Sequence, residues 1–590
     1  MLKRFFLIVC GSFVGAFLAL VVFVFSAILI SLAMMKMGKA QSIPDKAILH
    51  LHLSGIMQER PGDEEIDMLT LATGGSLEYM NLDETLKALE VAKDDDNIKG
   101  LYIECDGIEA PAATLHQVRN AVADFKKSGK FVYAYGNEGY SQSDYYIATA
   151  ADSVLLNPIG AVDIHGLASI TPYYKNALDK AGIEMQVIRV GTYKSAVEPY
   201  MIDSISPANR EQQELYLGNI WTTMSSEMAA ARNIDIKTFN TLTDSIVTAM
   251  STKKLLAAHL IDRTCYKHEM ESTLKRLSGL DQDDDLRLVS IADVANAYER
   301  VKGKDGKIAV VYAVGEIDGG GGGIDSEEII KTVEDLMDDD DVKGMVLRVN
   351  SPGGSAFGSE QIWEVLERFK KTGRPLAVSM GDYAASGGYY ISCGANRIFA
   401  DSVTITGSIG VFGVIPTAQK LYENTLGINV SVVKTNANSE MNSMGVFNKK
   451  YTPVQQAAMQ NYVNETYDLF TKRCADGRKM PQDSIKKIAE GRVWDAKSAL
   501  SRNLIDAIGS LNDAITWVAA KANLQEGRYG VIEVPAVEMN WKSILGSFTA
   551  TKYREKIAQE MGDFYKYYEQ LKAILNRHHV LCLMEYSEIK

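Results

Sequence analysis

The stretch Gly381-Asp-Tyr-Ala-Ala-Ser-Gly-Gly-Tyr-Tyr-Ile-Ser-Cys-Gly394 sets one hydroxyl, Ser386, beside two glycines. The apolar run Pro375 to Met380 before it reads as a buried strand, and small residues then lead through a tight turn into a helix starting near Ser386. A helix N-terminus carries free N–H groups and the positive end of the dipole, so a serine there stands beside a ready site for a developing oxyanion. The same residues also suit a helix packed closely on a sheet, so the chemistry has to be argued from the rest of the chain.

A serine nucleophile needs a base. The chain has eight histidines: His50, His52, His116, His165, His259, His268, His578 and His579. None lies near Ser386 in sequence, which excludes a Ser-His-Asp triad built locally. His165, in the turn Asp163-Ile-His-Gly166, is a distant candidate. The other well-known partner of serine is lysine.

An internal repeat narrows the choice of lysine. Asp94-Asp-Asp-Asn-Ile-Lys-Gly100 recurs as Asp338-Asp-Asp-Asp-Val-Lys-Gly344, Tyr145-Tyr-Ile147 as Tyr389-Tyr-Ile391, and Leu260-Ile-Asp262 as Leu504-Ile-Asp506, all at an offset of 244 residues. The pair Gly182-Ile183 and Gly427-Ile428 sits at 245. A constant offset over so long a span marks a duplicated domain, over 46–300 and 306–525. At the elbow, Ser386 pairs with Gln142 at offset 244 or with Ser141 after a one-residue shift, and the Ser-Gly-Gly context is absent from the first copy in either register. Asn350-Ser-Pro-Gly-Gly354, a loop whose glycines allow close approach to a ligand, becomes Asp106-Gly-Ile-Glu-Ala110. Downstream the asymmetry reverses. The first copy has Val190-Gly-Thr-Tyr-Lys-Ser-Ala196, and Lys194 pairs with Asn438 or Ser439 in the second. One copy keeps the nucleophile and its loop while the other keeps a lysine, which predicts one site shared by both. A lysine acting as base must be neutral, and burial lowers its pKa. Tyr193, Val197, Pro199 and Tyr200 are candidates for that apolar setting, and Ser408, in Thr406-Gly-Ser-Ile-Gly410, for a hydroxyl that orients the lysine.

Strands alternate with helices in each copy, which predicts a mostly parallel α/β sheet. In the second copy the expected elements are a strand Ile308–Ala313, a helix capped by Ser326 and reaching Met337, a strand Lys343–Val349, a helix Gly358–Lys371, the strand before Ser386 and its helix, and a strand Arg397–Ala400. The helical stretches Pro207–Arg232 and Pro453–Arg478 follow the two cores and are expected to pack against the neighbouring copy.

Composition bounds the rest. A net charge of −13 over 590 residues argues against a basic nucleic-acid surface. Six scattered cysteines show neither zinc spacing nor a disulfide framework, and no phosphate-binding glycine motif is present, so neither a metal nor another cofactor is expected. The run Gly319–Gly323 reads as a flexible loop. Phe5 to Met35 holds no charged residue and is long enough to cross a bilayer, so residues 1–40 are read as an uncleaved N-terminal membrane anchor. Lys3 and Arg4 before it, against Lys36 and Lys39 after it, lean towards a cytoplasmic N-terminus. Residues 526–590 are an extension to which no role is assigned, although Val580–Met584 reads as a strand.

Four motifs carry a family resemblance: Gly381–Ile391, Arg348-Val-Asn-Ser-Pro-Gly-Gly354, Thr406-Gly-Ser-Ile-Gly-Val-Phe-Gly413 and Gly191-Thr-Tyr-Lys-Ser-Ala-Val-Glu-Pro199. Together they resemble the long, duplicated form of the signal peptide peptidase A (protease IV) family over nearly the whole chain. The resemblance implies tandem Clp-protease/crotonase-like domains behind a transmembrane helix. It implies a Ser/Lys dyad of Ser386 and Lys194, with Gly354 and the N–H of Gly387 as oxyanion donors. It further implies peptide substrates (signal peptides already cut from exported proteins), a bacterial inner-membrane location with the catalytic domains on the periplasmic side, and a homotetramer. Two rival classes are a crotonase-like acyl-CoA enzyme and a proteolytically inactive membrane scaffold. The Ser/Lys pair and the anchor speak against the first, and the intact dyad against the second.

Overall fold

The computed structural model describes residues 43–60, 79–297, 303–320, 323–441, 449–535, 581–584 and 588–589. The expected anchor lies outside these residues, as do Gly321 and Gly322 of the glycine run. Among the described residues no helix is long and apolar enough to cross a membrane.

The first copy alternates β1 (Ala47–Gln58), α1 (Leu82–Asp94), β2 (Ile98–Glu109), α2 (Ala112–Lys126), β3 (Phe131–Gly136), α3 (Gln142–Ala148) and β4 (Ser153–Leu156). It then runs through β5 (Glu184–Val190) and the long α4 (Pro207–Ala231) to the short strands β6 (Arg263–Thr264) and β7 (Leu288–Ser290). Its sheet has the order β6-β4-β3-β2-β1-β7, with every pairing parallel. Parallel strands are covered on both faces, which is why they read as near-continuous apolar runs. Leu49, Leu51 and Leu53 of β1 enter the main core, while Ile48 packs on the other face with Tyr102, Tyr135 and Leu155.

The second copy repeats the plan. Its elements are β8 (Lys307–Val314), α5 (Ser326–Asp338), β9 (Val342–Ser351), β10 (Gly353–Ser355), α6 (Ala356–Lys371), β11 (Leu376–Ala385), α7 (Gly387–Ser392), β12 (Arg397–Ala400), β13 (Ile405–Gly407), β14 (Val411–Thr417), α8 (Pro453–Arg478), β15 (Val493–Asp495) and β16 (Gly530–Val534). The sheet order is β15-β13-β11-β9-β8-β16, with β12 also pairing β11 and only β15 antiparallel. Two expectations need correction. Asp325, not Ser326, caps α5, its carboxylate accepting the N–H groups of Glu327 and Glu328. The second sheet also continues past residue 525, because β16 is its edge strand, paralleling β7 in the first copy. Five residues closing at Pro535 were too short to register as an element.

The copies meet along a third, antiparallel sheet. β5 of the first copy pairs with β14 of the second from Val190–Val411 to Glu184–Thr417. A strand from the far end of the chain, β17 (Leu581–Leu583), pairs with β14 and with β10, giving the order β10-β17-β14-β5. As expected, α4 packs on the second copy: Gln212 accepts from Val493 N at 3.0 Å and Asn219 donates to Asp495 at 2.7 Å. A buried polar set spans the same seam. Arg348 on β9 donates to Glu59 at 2.6 Å and to Gln117 at 3.2 Å, and the Asp382 carboxylate accepts from the N–H and hydroxyl of Thr114, each at 2.8 Å.

Candidate active site

Ser386 joins β11 to α7 with φ 54°, a left-handed value rare for a residue with a side chain. Such a conformation costs about 1–3 kcal/mol and persists only where the surroundings hold it. Here Ser386 N donates to Gly407 O at 2.8 Å, and its carbonyl accepts from Tyr390 N at 2.9 Å. Ser386 occupies the N-cap position of α7, but its side chain caps nothing, which leaves the fully buried hydroxyl for another partner.

That partner comes from the other copy. Lys194 Nζ lies 2.8 Å from Ser386 Oγ, 3.0 Å from Ser408 Oγ and 3.1 Å from Ser408 O. The lysine follows β5, so the pairing of β5 with β14 delivers it across the seam. Its backbone is tied down locally. Tyr193 N donates to Glu490 O at 2.9 Å, and Arg189 donates to Lys194 O at 3.1 Å. Glu198 accepts from the Ser206 hydroxyl at 2.6 Å and from Asn209 at 3.1 Å, bracing the segment that follows. Burial lowers the Lys194 pKa to about 7, with only the Cys582 thiol acting in the opposite sense. Val197 and Pro199 are buried, and the Phe412 ring lies 5.9 Å from Nζ. Tyr193 turns elsewhere: its ring sits under the Arg492 guanidinium and its hydroxyl donates to Glu211. Asn438 and Ser439, the repeat partners of Lys194, are exposed. His165 is exposed too, with Nδ1 3.1 Å from Gly166 O and Nε2 3.7 Å from Asp163.

The glycine loop closes the site. Gly353 and Gly354 have φ 109° and 152°, and a Cβ on Gly354 would collide with the Ile317 carbonyl. The loop is pinned from outside by Ile317, whose N–H donates to Gly353 O at 2.9 Å and whose carbonyl accepts from Ser355 N at 2.8 Å. A Cβ on Gly387 would come within 3.1 Å of Gly354 N, so Gly354 and the first residue of α7 converge beside Ser386.

Several contributors were not foreseen from sequence. Ile317, next to the glycine run, acts through backbone bonds that leave no mark on residue type. Asn350 links the loop to the elbow, donating to Asp382 at 3.0 Å and accepting from Tyr383 N at 3.1 Å. Cys582 on β17 is fully buried against the site, close enough to Ser386 and Lys194 for each to act on its titration. Its reading as a strand was available from sequence, its place was not. Among the described residues no cluster could hold a metal.

Two α/β copies that share one serine and one buried lysine make up a duplicated serine hydrolase. The model of peptidase family S49 matches residues 124–281 and 368–525, spans that begin 244 residues apart as the repeat does. The chain belongs to that family and is a serine peptidase. It is 34% identical to Protease 4 of Salmonella typhi over 523 residues, covering 86% of this chain and 83% of the relative. It is 33% identical to Protease 4 of Haemophilus influenzae, covering 83% and 81%. A putative signal peptide peptidase SppA of Enterococcus faecium is 31% identical over 236 residues, 40% of this chain and 65% of the relative.

Proposed function

We propose that the chain is a membrane-anchored endopeptidase that degrades cleaved signal peptides through a Ser386/Lys194 dyad. The observation that carries this is the 2.8 Å approach of Lys194 Nζ to Ser386 Oγ in a site closed to solvent. A lysine with a pKa near 7 has a substantial neutral fraction at neutral pH, as a general base requires. Neutral Lys194 takes the Ser386 proton as Oγ attacks the peptide carbonyl. The N–H groups of Gly354 and Gly387 hold the oxyanion. Lys194 passes the proton to the departing amine, leaving an ester on Ser386. Water then attacks the ester, with Lys194 again taking and returning a proton. Ser408 holds the amine on line by its hydroxyl and carbonyl.

The charge-free run Phe5–Met35 supports an anchor contacting membrane lipid in a bacterial inner membrane, with both copies on the periplasmic side. Such an anchor brings the cleft to apolar, lipid-embedded peptides. Exposed apolar residues of the second copy, Leu426, Ile428, Val433 and Val454, support self-association, read as a homotetramer.

A serine-directed phosphonate probe tests the dyad: it should label wild type at Ser386 and leave Lys194→Ala unlabelled. Labelling of Lys194→Ala at the wild-type rate would sink the mechanism. Protease added to spheroplasts should degrade residues after 46, and their protection would reverse the orientation.

A further inference from the structure

The turn Ala489-Glu-Gly-Arg492 leads into β15 and holds two left-handed residues in a row, Glu490 at φ 50° and Gly491 at φ 76°. A glutamate rarely adopts that conformation, so its surroundings have to hold it there. Hydrogen bonds on every side do so. Arg492 N donates to Ala489 O at 2.8 Å and closes the turn, and Gly491 N donates to Ile409 O at 2.8 Å. Tyr193 N donates to Glu490 O at 2.9 Å, and Glu490 N donates to the Tyr467 hydroxyl of α8 at 3.3 Å. The turn rests on the lysine itself. A Cβ on Gly491 would lie 2.6 Å from Lys194 Cβ and 2.7 Å from its Cα and N, closer than real Cβ atoms come. On the far side, a Cβ on Gly410 would lie 2.8 Å from Gly491 Cα and 3.2 Å from Lys194 Cδ. The same turn holds the other end of the side chain. Arg492 O accepts from Ser408 N at 2.7 Å, and Ser408 meets Nζ with its hydroxyl and carbonyl. One turn thus fixes the lysine at its main chain and, through Ser408, at its amine. The first copy builds this place differently. At an offset of 244, Ile246-Val247 stand where Glu490-Gly491 do, with Ile246 at φ −81° and Val247 opening a short 3-10 helix that ends at Ala249.

We propose that Glu490-Gly491 is the positioning turn of the dyad, and that the missing side chain at Gly491 sets how deep Lys194 sits and so whether Nζ reaches Ser386. The inference rests on the dyad reading above. With a methyl group at position 491, the Lys194 main chain must move outward or the turn must open. Either way Nζ leaves its 2.8 Å contact with Ser386 Oγ. Burial is what lowers the Lys194 pKa, so a lysine drawn outward also titrates higher. Reach and depth therefore change together, which a general loss of stability would not produce.

The rate at which the phosphonate probe labels Ser386, followed against pH on the full chain in detergent, tests the turn. Gly491→Ala should label about a hundredfold more slowly at pH 7, the loss expected when a reacting group is displaced by about 1 Å. The midpoint of its pH profile should move from about 7 to about 8 or above. Gly279→Ala is the matched control. Gly279 follows the helix Lys267–Ser278 at the same φ of 76°, and nothing lies within 4 Å of the Cβ it would gain. That variant should melt earlier, as a strained alanine does, and keep the wild-type rate and midpoint. Tyr467→Phe loosens the turn without filling it. It should slow labelling about threefold and raise the midpoint, and it decides the matter if Gly491→Ala does not fold. A wild-type rate and midpoint in Gly491→Ala, or in Tyr467→Phe where it stands in, overturns the turn proposal and leaves the dyad in place. Equal changes in Gly279→Ala overturn it too, since strain alone would then account for them. If Lys194→Ala labels at the wild-type rate, the dyad reading fails and this inference with it.

Discussion

The two copies hold a serine at the same elbow and use it in opposite ways. Ser141 caps α3 at φ −64°, its hydroxyl oxygen accepting from Asp144 N at 3.1 Å while the Asp144 carboxylate accepts from Ser141 N at 3.2 Å. Ser386 heads α7 at φ 54° and caps nothing. The helices are otherwise in register: the Tyr145 hydroxyl donates to Leu260 O and the Tyr389 hydroxyl to Leu504 O, at 2.7 and 2.8 Å. From cap to tyrosine is four residues in the first copy and three in the second. The loop before the elbow diverges in step. In the first copy Asp144 is buried and its carboxylate accepts the N–H groups of Gly107 and Ile108, each at 3.1 Å. In the second, a Cβ on Gly388 would come within 2.7 Å of Ser351 O, so helix and loop touch directly. One elbow satisfies its own donors and is relaxed. The other is a residue shorter and strained, and its hydroxyl meets Lys194 instead of a backbone donor. On the proposed mechanism the duplicated fold separates stability from chemistry, with the relaxed copy supplying the base.

The largest effect should come from breaking the sharing itself. Ser386→Ala, Lys194→Ala and the double variant should each lose on the order of a thousandfold or more in kcat/KM, and to a similar degree, because a nucleophile without its base is nearly as disabled as none. Lys194→Arg should fail as well, since arginine does not give up its proton near neutral pH. Losses that multiply in the double variant would show two residues acting independently.

Next is the polar set that sews the copies together. Arg348 and Glu59 are both buried, so Glu59→Ala strands a guanidinium without its carboxylate and should cost about 3–5 kcal/mol. Arg348 lies on the strand leading into Asn350 and the glycine loop, so thermal midpoint and activity should fall together. Full activity in Glu59→Ala would show that the loop does not depend on the seam.

These residues also mark the limit of what was legible in the sequence. The repeat, the alternating elements and the complementary loss of Lys194 and Ser386 could all be read, because each leaves a pattern of residue types at fixed spacing. Arg397–Ala400 and Pro453–Arg478 were placed to the residue. Glu59 and Arg348 lie 289 positions apart with no periodicity between them, and nothing in either neighbourhood marks them as partners. The pairing of β5 with β14, which delivers the lysine, was hidden for the same reason. β16 was obscured by shortness, β17 was legible as a strand but not in its place between β10 and β14, and the capping of Ser141 was obscured by a one-residue difference that left two registers open.

The pH profile probes the lysine more gently. With a pKa near 7, its neutral fraction, and kcat/KM with it, should rise about tenfold from pH 6 to pH 8 and then level off. The direction follows from the base being active when deprotonated. Ser408→Ala should lower kcat/KM about tenfold, the worth of one hydrogen bond to a group that becomes charged, while retaining the rise. A profile flat across this range would mean that Lys194 is not the group titrating.

The smallest effect is expected at Asp144, and it separates the two elbows most sharply. Asp144 is far from Lys194 in role: its carboxylate closes donors inside the first copy and touches nothing in the second that has been described. Burial raises its pKa, with the Ser141, Ile108 and Gly107 hydrogen bonds pulling it back. A raised acid binds its proton more tightly folded than unfolded, so its contribution to stability falls as pH rises from the unfolded value through the folded one. Asparagine is neutral at every pH and keeps one acceptor oxygen. Asp144→Asn should therefore cost about 1 kcal/mol, from hydrogen bonds lost against a buried charge removed. The gap to wild type should narrow as pH rises, because only wild type loses stability by this route. Activity should stay within about twofold at each pH, since relaxing the first elbow does not reach the reaction. Thermal melts paired with kcat/KM across the pH range read both effects. A drop in activity approaching that of Lys194→Ala would mean that the first elbow takes part in the chemistry after all, and the division of labour between the copies would have to be redrawn.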